Sequence, residues 1–252
     1  MRRARLGQAG MVGDARGDGL AQAEAEEARR TRAGARTALV TGASRGLGRA
    51  LVAGLAAGGW RVTAAARDPA ATVPGAARVL AHDQALPASA EALAGAMAGE
   101  GLDLLVLNAA IRGDTGGIPG LTQPDLLEVL AVNLAGPLLL FRALLPCLRP
   151  GAKVAFISST SGSMAEGHDP DGDYAYCCSK AALNRSAVKL ADDFPGLVFL
   201  ALHPGWVRTD MGGAGARLDA EASAAGLLRV IDAAGPADSG SFRAWDGRAI
   251  AW

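Results

Sequence analysis

The chain has few aromatic residues, 4% of 252, with only two tyrosines, three histidines and three cysteines, and no excess charge of either sign. Each shortage excludes something. An odd set of cysteines, Cys147, Cys177 and Cys178, two of them sequence neighbours poorly placed to bond each other, gives no disulfide framework and suits a reducing cytoplasm. A formal net charge of zero, from 25 basic and 25 acidic residues, offers no electrostatic footprint for nucleic acid. His82, His168 and His203 lack the clustered spacing of a metal site, so no metal is expected. The longest strongly apolar run, Pro137 to Leu148, contains Arg142 and is shorter than the roughly 20 residues a spanning helix needs, so no membrane segment is predicted. Large apolar side chains are also nearly missing from residues 1–35, which read as a disordered tail; the stretch AQAEAEEARR has helix propensity, and Arg2 and Arg3 are followed by no apolar export core.

What is present begins at Thr37. Short runs, TALVT (37–41), RVTAAA (61–66), RVLAH (78–82), LDLLVLN (102–108), KVAFIS (153–158) and LVFLALH (197–203), are apolar on both faces and alternate with helical spacing, and a last strand is predicted near Ser241 to Trp245. Strands apolar on both faces belong between two helical layers. The pattern predicts one α/β domain over 36–252, a doubly wound Rossmann-type parallel sheet of about seven strands.

The first strand runs into TGASRGLG, with Gly42, Gly46 and Gly48 between a strand and a helical run. Glycines there allow a tight turn and close approach of a pyrophosphate to the helix N-terminus, so Gly42, Ser44, Arg45, Gly46, Leu47 and Gly48 are candidate dinucleotide contacts. At the end of the second strand, AAARDP places Ala66 where an acid would bond the ribose of NAD, followed by Arg67. Arg67 and Arg45 suit a 2′-phosphate, which predicts NADP(H), with NAD(H) the alternative through Asp68.

The stretch DYAYCCSK holds both tyrosines. On a helix Tyr176 and Lys180 share a face, whereas Tyr174 points elsewhere. A nearby ammonium and a cationic nicotinamide would favour the phenolate, giving an acid/base group for interconverting a carbonyl and an alcohol.

Taken together, TGASRGLG, LNAAI (107–111), VNLAG (132–136), ISS (157–159), YCCSK (176–180) and HPGWVRTDM (203–211) resemble the ordered signature of the short-chain dehydrogenases/reductases, over residues 36–252. The C-terminal half is most similar to the sniffer-type carbonyl reductases and C-factor-like proteins of that family. The resemblance implies Tyr176 as general acid/base and Lys180 as the residue that lowers its pKa and holds the nicotinamide ribose. It gives Asn133 a water that links this lysine to solvent. Asn108 and Ala109 would lie beside the cofactor, with Ala110 where the family usually has glycine, and Asp83 at the adenine. Pro204, Gly205, Val207 and Thr209 would form the nicotinamide loop, Thr209 reaching the carboxamide. The serine that bonds the substrate oxygen is Ser159, at the end of its strand but 17 residues before Tyr176; the family's usual interval is the 13 residues that separate Ser163 from Tyr176, which keeps Ser163 open.

The loop SGSMAEGHDPDGD, with Glu166, Asp169, Asp171 and Asp173, is expected to cover part of the site or simply be solvated, and Trp206, Met211 and Leu218 to line an apolar pocket. The expected activity is NADPH-dependent reduction of a ketone or aldehyde, or the reverse. The alternative is a dinucleotide-binding signalling or regulatory protein with little turnover. Helices over 134–148 and 176–194 are candidates for a homo-oligomer interface.

Overall fold

The apolar runs become seven parallel strands in one sheet, ordered β3-β2-β1-β4-β5-β6-β7. They are β1 Thr37–Thr41, β2 Arg61–Ala66, β3 Arg78–Ala81, β4 Leu102–Leu107, β5 Leu148–Ile157, β6 Val198–His203 and β7 Ser241–Ala244. This computed structural model describes residues 34–166 and 172–252; residues 1–33 of the expected 1–35 tail, including the stretch AQAEAEEARR, and His168, Asp169 and Asp171 of the acidic loop lie outside the described residues. Residues Arg36–Trp252 form one compact unit.

The strands are apolar on both faces because each supplies two cores. In β1, Ala38 and Val40 point to one face and Leu39 to the other; in β6, Val198, Leu200 and Leu202 oppose Phe199 and Ala201. Helices α1 Gly46–Ala57 and α6 Ala220–Ala233 cover the first face with Leu51, Val52, Leu55, Leu227 and Ile231. The second face lies under α2 Pro87–Ala96, α4 Gly136–Leu144 and α5 Tyr174–Asp193, through Leu93, Leu140, Phe141, Leu144, Leu183 and Ala187. The doubly wound sheet is therefore as the sequence reading has it.

Two departures matter. Strand β5 begins at Leu148, five residues before the predicted start, because Leu148 pairs with Leu102 ahead of a register shift. The second lies in the helix before it. Helix α3 Gln123–Leu130 does not stop but passes through a π-helical segment, Ala131–Ala135, into α4. The stretch Gln123–Cys147 contains an 18-residue window of mean hydropathy 1.8 and is long and apolar enough to cross a bilayer. Leu140, Phe141 and Leu144 nevertheless pack into the core beside the sheet, as a core helix does, and there is no clear membrane span among the described residues.

Strand order reverses between β1 and β4, which opens a crevice at their C-terminal ends. Every candidate site segment projects from that edge.

Candidate active site

Gly42 and Gly46 have φ of +63° and +52°, left-handed values that disfavour any side chain. Gly48 is glycine for space: a Cβ there would lie 2.2 Å from the Gly42 carbonyl oxygen and 2.7 Å from Asn108 Nδ2. Among the described residues no side chain caps the start of α1, and no acid lies in its first turn. A close-packed glycine turn ending in an uncapped helix N-terminus fits a pyrophosphate, whose charge the free N–H groups and helix dipole would meet.

Asn108, at the end of β4, donates from Nδ2 to the Thr41 carbonyl at 2.9 Å, while Thr41 Oγ1 accepts the backbone N–H groups of Asn108 and Ala109. These bonds tie the two loops that flank the crevice. The other predicted contacts are spread along its rim. Arg67 is exposed just past β2, and the Asp68 carboxylate beside it accepts the Ala70 N–H at 2.9 Å. Asp83 Oδ1 similarly accepts the Ala85 N–H at 3.0 Å, so this acid braces its own turn. Arg45, expected at a phosphate, is ion-paired with Asp210 of the loop after β6. In the same loop Thr209 sets its methyl group against Gly46, and Val207 bridges to Leu218. Ser44 is exposed, Leu47 buried, and Pro204 accepts the Ser223 hydroxyl at 2.6 Å; Gly205, with φ +82°, makes the bend.

At the chemical centre Tyr176 and Lys180 share one face of α5, with Lys180 Nζ 5.4 Å from the centre of the Tyr176 ring. The hydroxyl of Ser159, at the end of β5, is near enough to the Tyr176 phenol to favour its ionised form. It also accepts the Ser161 N–H at 3.1 Å. Ser163 is used differently: its hydroxyl donates to the Ala251 carbonyl at 2.6 Å and accepts the Glu166 N–H at 2.9 Å, tying the loop to the end of the chain. His203, pushed down to about 4 mainly by burial, is neutral and accepts the Thr160 N–H, steadying the turn that follows Ser159.

Burial pushes the phenol up to about 12; Ser159 and Arg112 oppose that rise, and Asp173 and Cys177 add to it. Lys180 is itself lowered to about 8 by burial, and its ammonium donates to the Ile157 carbonyl at 2.8 Å. Asn133 sits in the π segment with its amide committed: Nδ2 donates to the Ile111 carbonyl and to Ser179 Oγ, and Oδ1 accepts the Ile111 N–H.

The same architecture recurs in known proteins, and the family model for short chain dehydrogenases matches residues 36–217. The chain belongs to the short-chain dehydrogenase family. As such it is an NAD(P)-dependent oxidoreductase acting on small molecules. Among solved relatives, the NADPH-bound carbonyl reductase from chicken fatty liver superposes with a TM-score of 0.81 at 34% identity, covering 86% of this chain and 99% of that one. The carbonyl reductase Sniffer of Drosophila melanogaster gives 0.78 at 29% identity, covering 87% and 100%. The C-signal protein of Myxococcus xanthus is 41% identical over 155 residues, 60% of this dehydrogenase and 93% of that protein.

Two features of this dehydrogenase have no local signal in the sequence. Asp173, read there as one acid of the covering loop, is buried at 3% exposure and bonded to Arg112 across 61 positions. Glu166 accepts the Ala251 N–H and pairs with Arg248, so the loop after Ser159 is clamped to the C-terminal strand region. Trp206 and Met211, expected to line an apolar pocket, are 59% and 39% exposed, with Leu218 half-buried beneath Trp206; this leaves an apolar rim open to solvent.

Proposed function

We propose that the chain reduces a ketone or aldehyde with NADPH, or runs the reverse oxidation, with Tyr176 as general acid/base. The observation that carries this reading is Tyr176 and a buried Lys180 on one helix face, with Lys180 Nζ 5.4 Å from the tyrosine ring and Ser159 close to the phenol. The nicotinamide, when bound, supplies or accepts the hydride. The protein's part is proton handling and placement. With its pKa near 12, Tyr176 is a neutral phenol at physiological pH, the form that donates a proton to a carbonyl oxygen being reduced. Oxidation needs the phenolate instead, so its rate should climb with pH across the alkaline range while reduction does not. Parallel initial-rate profiles in the two directions test this, and profiles of equal slope would remove Tyr176 from the proton step.

Ser159, near the phenol at the end of β5, would share the same substrate oxygen. Ser159→Ala should lower kcat by about 10²-fold or more, whereas Ser163→Ala should chiefly lower Tm by freeing the Ala251 contact. A reversed pattern in steady-state rates and melting curves would exchange the two roles. Lys180, fixed through Ile157, would hold the nicotinamide ribose, and Asn133 would hold a water through its carbonyl.

NADP(H) is favoured over NAD(H) because Ala66 leaves no acid for the ribose hydroxyl, Asp68 is engaged in its own turn and Arg67 is exposed beside it. The NADPH-bound state of the chicken carbonyl reductase supports the same choice. Arg67→Asp together with Arg45→Ala should cut the NADPH/NADH ratio of kcat/KM by about tenfold or more; an unchanged ratio would refute the assignment. The regulatory reading has less support, since Tyr176, Ser159 and Lys180 meet in one place. The apolar helix face around Leu127, which is 55% exposed, supports a homo-oligomer. The direct test is NADPH titration by fluorescence followed by a panel of ketones and aldehydes. Tight binding with NADPH consumed on some carbonyl is expected, and binding without turnover across the panel would favour the regulatory reading.

A further inference from the structure

Arg112 follows Ile111, whose N–H and carbonyl are both held by the Asn133 amide, so the arginine projects from a fixed point at the end of the β4 loop. Its Nε donates to Asp173 Oδ2 at 2.6 Å, and the aspartate side chain is only 2% exposed. Asp173 directly precedes α5 and its carbonyl accepts the Cys177 N–H, which makes it part of the turn that carries Tyr176. The contact is reinforced from behind. Gly172 packs so closely on residues 115–117 that a Cβ would lie 2.9 Å from the Gly117 backbone.

We propose that Arg112 and Asp173 are a positioning pair for Tyr176: the buried carboxylate, at the start of the tyrosine's own helix, anchors the guanidinium there and fixes the charges against which the phenol exchanges its proton. The groups that act on the phenol are Ser159 from β5, Arg112 from the β4 loop, Asp173 just ahead of α5, and Cys177 from α5, with Lys180 of the same helix over the ring. Of these, Arg112 favours the phenolate and Asp173 opposes it. The two halves of the pair should therefore have opposite effects. A purely structural contact would weaken the fold from either side without that opposition.

This inference rests on the proton-transfer role of Tyr176, but its test does not require turnover. In a Tyr174→Phe background Tyr176 is the sole tyrosine, since the chain has two. Tyrosinate absorbance, read by stopped-flow immediately after a pH jump and before the fold is lost, then reports its titration alone. Arg112→Gln should raise the midpoint and Asp173→Asn should lower it, each by about half a unit or more, and the double variant should fall between them. Coincident midpoints, or shifts of both single variants in one direction, would overturn the pair. Where Arg112→Gln does not fold, Asp173→Asn and the double variant decide, and no downward shift in Asp173→Asn overturns the proposal. Retained turnover in Tyr176→Phe would instead sink the proton role while leaving the measured midpoints as they stand.

Discussion

Tyr176→Phe is expected to lower kcat by about 10²–10⁴-fold, the range a positioned acid/base contributes, with the NADPH dissociation constant within a few-fold of the parent. The substitution removes one oxygen and leaves the ring, which stays beneath the Lys180 ammonium at 5.4 Å. What is lost is the phenol hydroxyl itself, the one that lies near Ser159. The cost to stability should be about 1 kcal/mol, the net worth of one hydrogen bond, so melting curves separate loss of chemistry from loss of fold. Turnover within tenfold of the parent would mean that another group delivers the proton.

The second large effect is expected at Gly48. A methyl group there meets the Gly42 carbonyl at 2.2 Å and Asn108 Nδ2 at 2.7 Å, neither a flexible chain end. Gly42 is held at left-handed φ and Asn108 is bonded to Thr41, so relief requires the two crevice loops to part. Gly48→Ala should cost about 1–3 kcal/mol of stability through overpacking. It should also weaken NADPH binding by about tenfold or more, since the same turn would receive the pyrophosphate. Gly95→Ala is the control: it lies in α2 with nothing within 4 Å of the new methyl, and should stabilise by up to about 1 kcal/mol. Parent-like NADPH affinity in Gly48→Ala would show that the close approach is not needed for binding.

The strands were legible because a strand buried on both faces leaves a short apolar run that few other structures explain, as in LDLLVLN and LVFLALH. The start of β5 was not, because LRPG reads as a turn and pairs only through distant Leu102. Local spacing was enough to put Tyr176 and Lys180 on one helical face. It could not show how deeply they are buried, and burial is what moves the phenol up and the lysine down. The partners of Asp173 and Arg45 were illegible for a related reason. Each lies far along the chain, 61 and 165 residues away, where no periodicity or motif connects them.

The π segment at Ala131–Ala135 has a consequence for how this sequence can change over generations. One residue more than an α-helix needs is accommodated there, and each helical residue turns the chain by roughly 100°. Deleting one residue would make the helix regular, but it would also swing Leu140, Phe141 and Leu144 away from the sheet or else rotate Asn133 away from Ile111. Neither half can keep its place alone. A lineage carrying this insertion has no single-step route back, which makes the irregularity a ratchet rather than a defect.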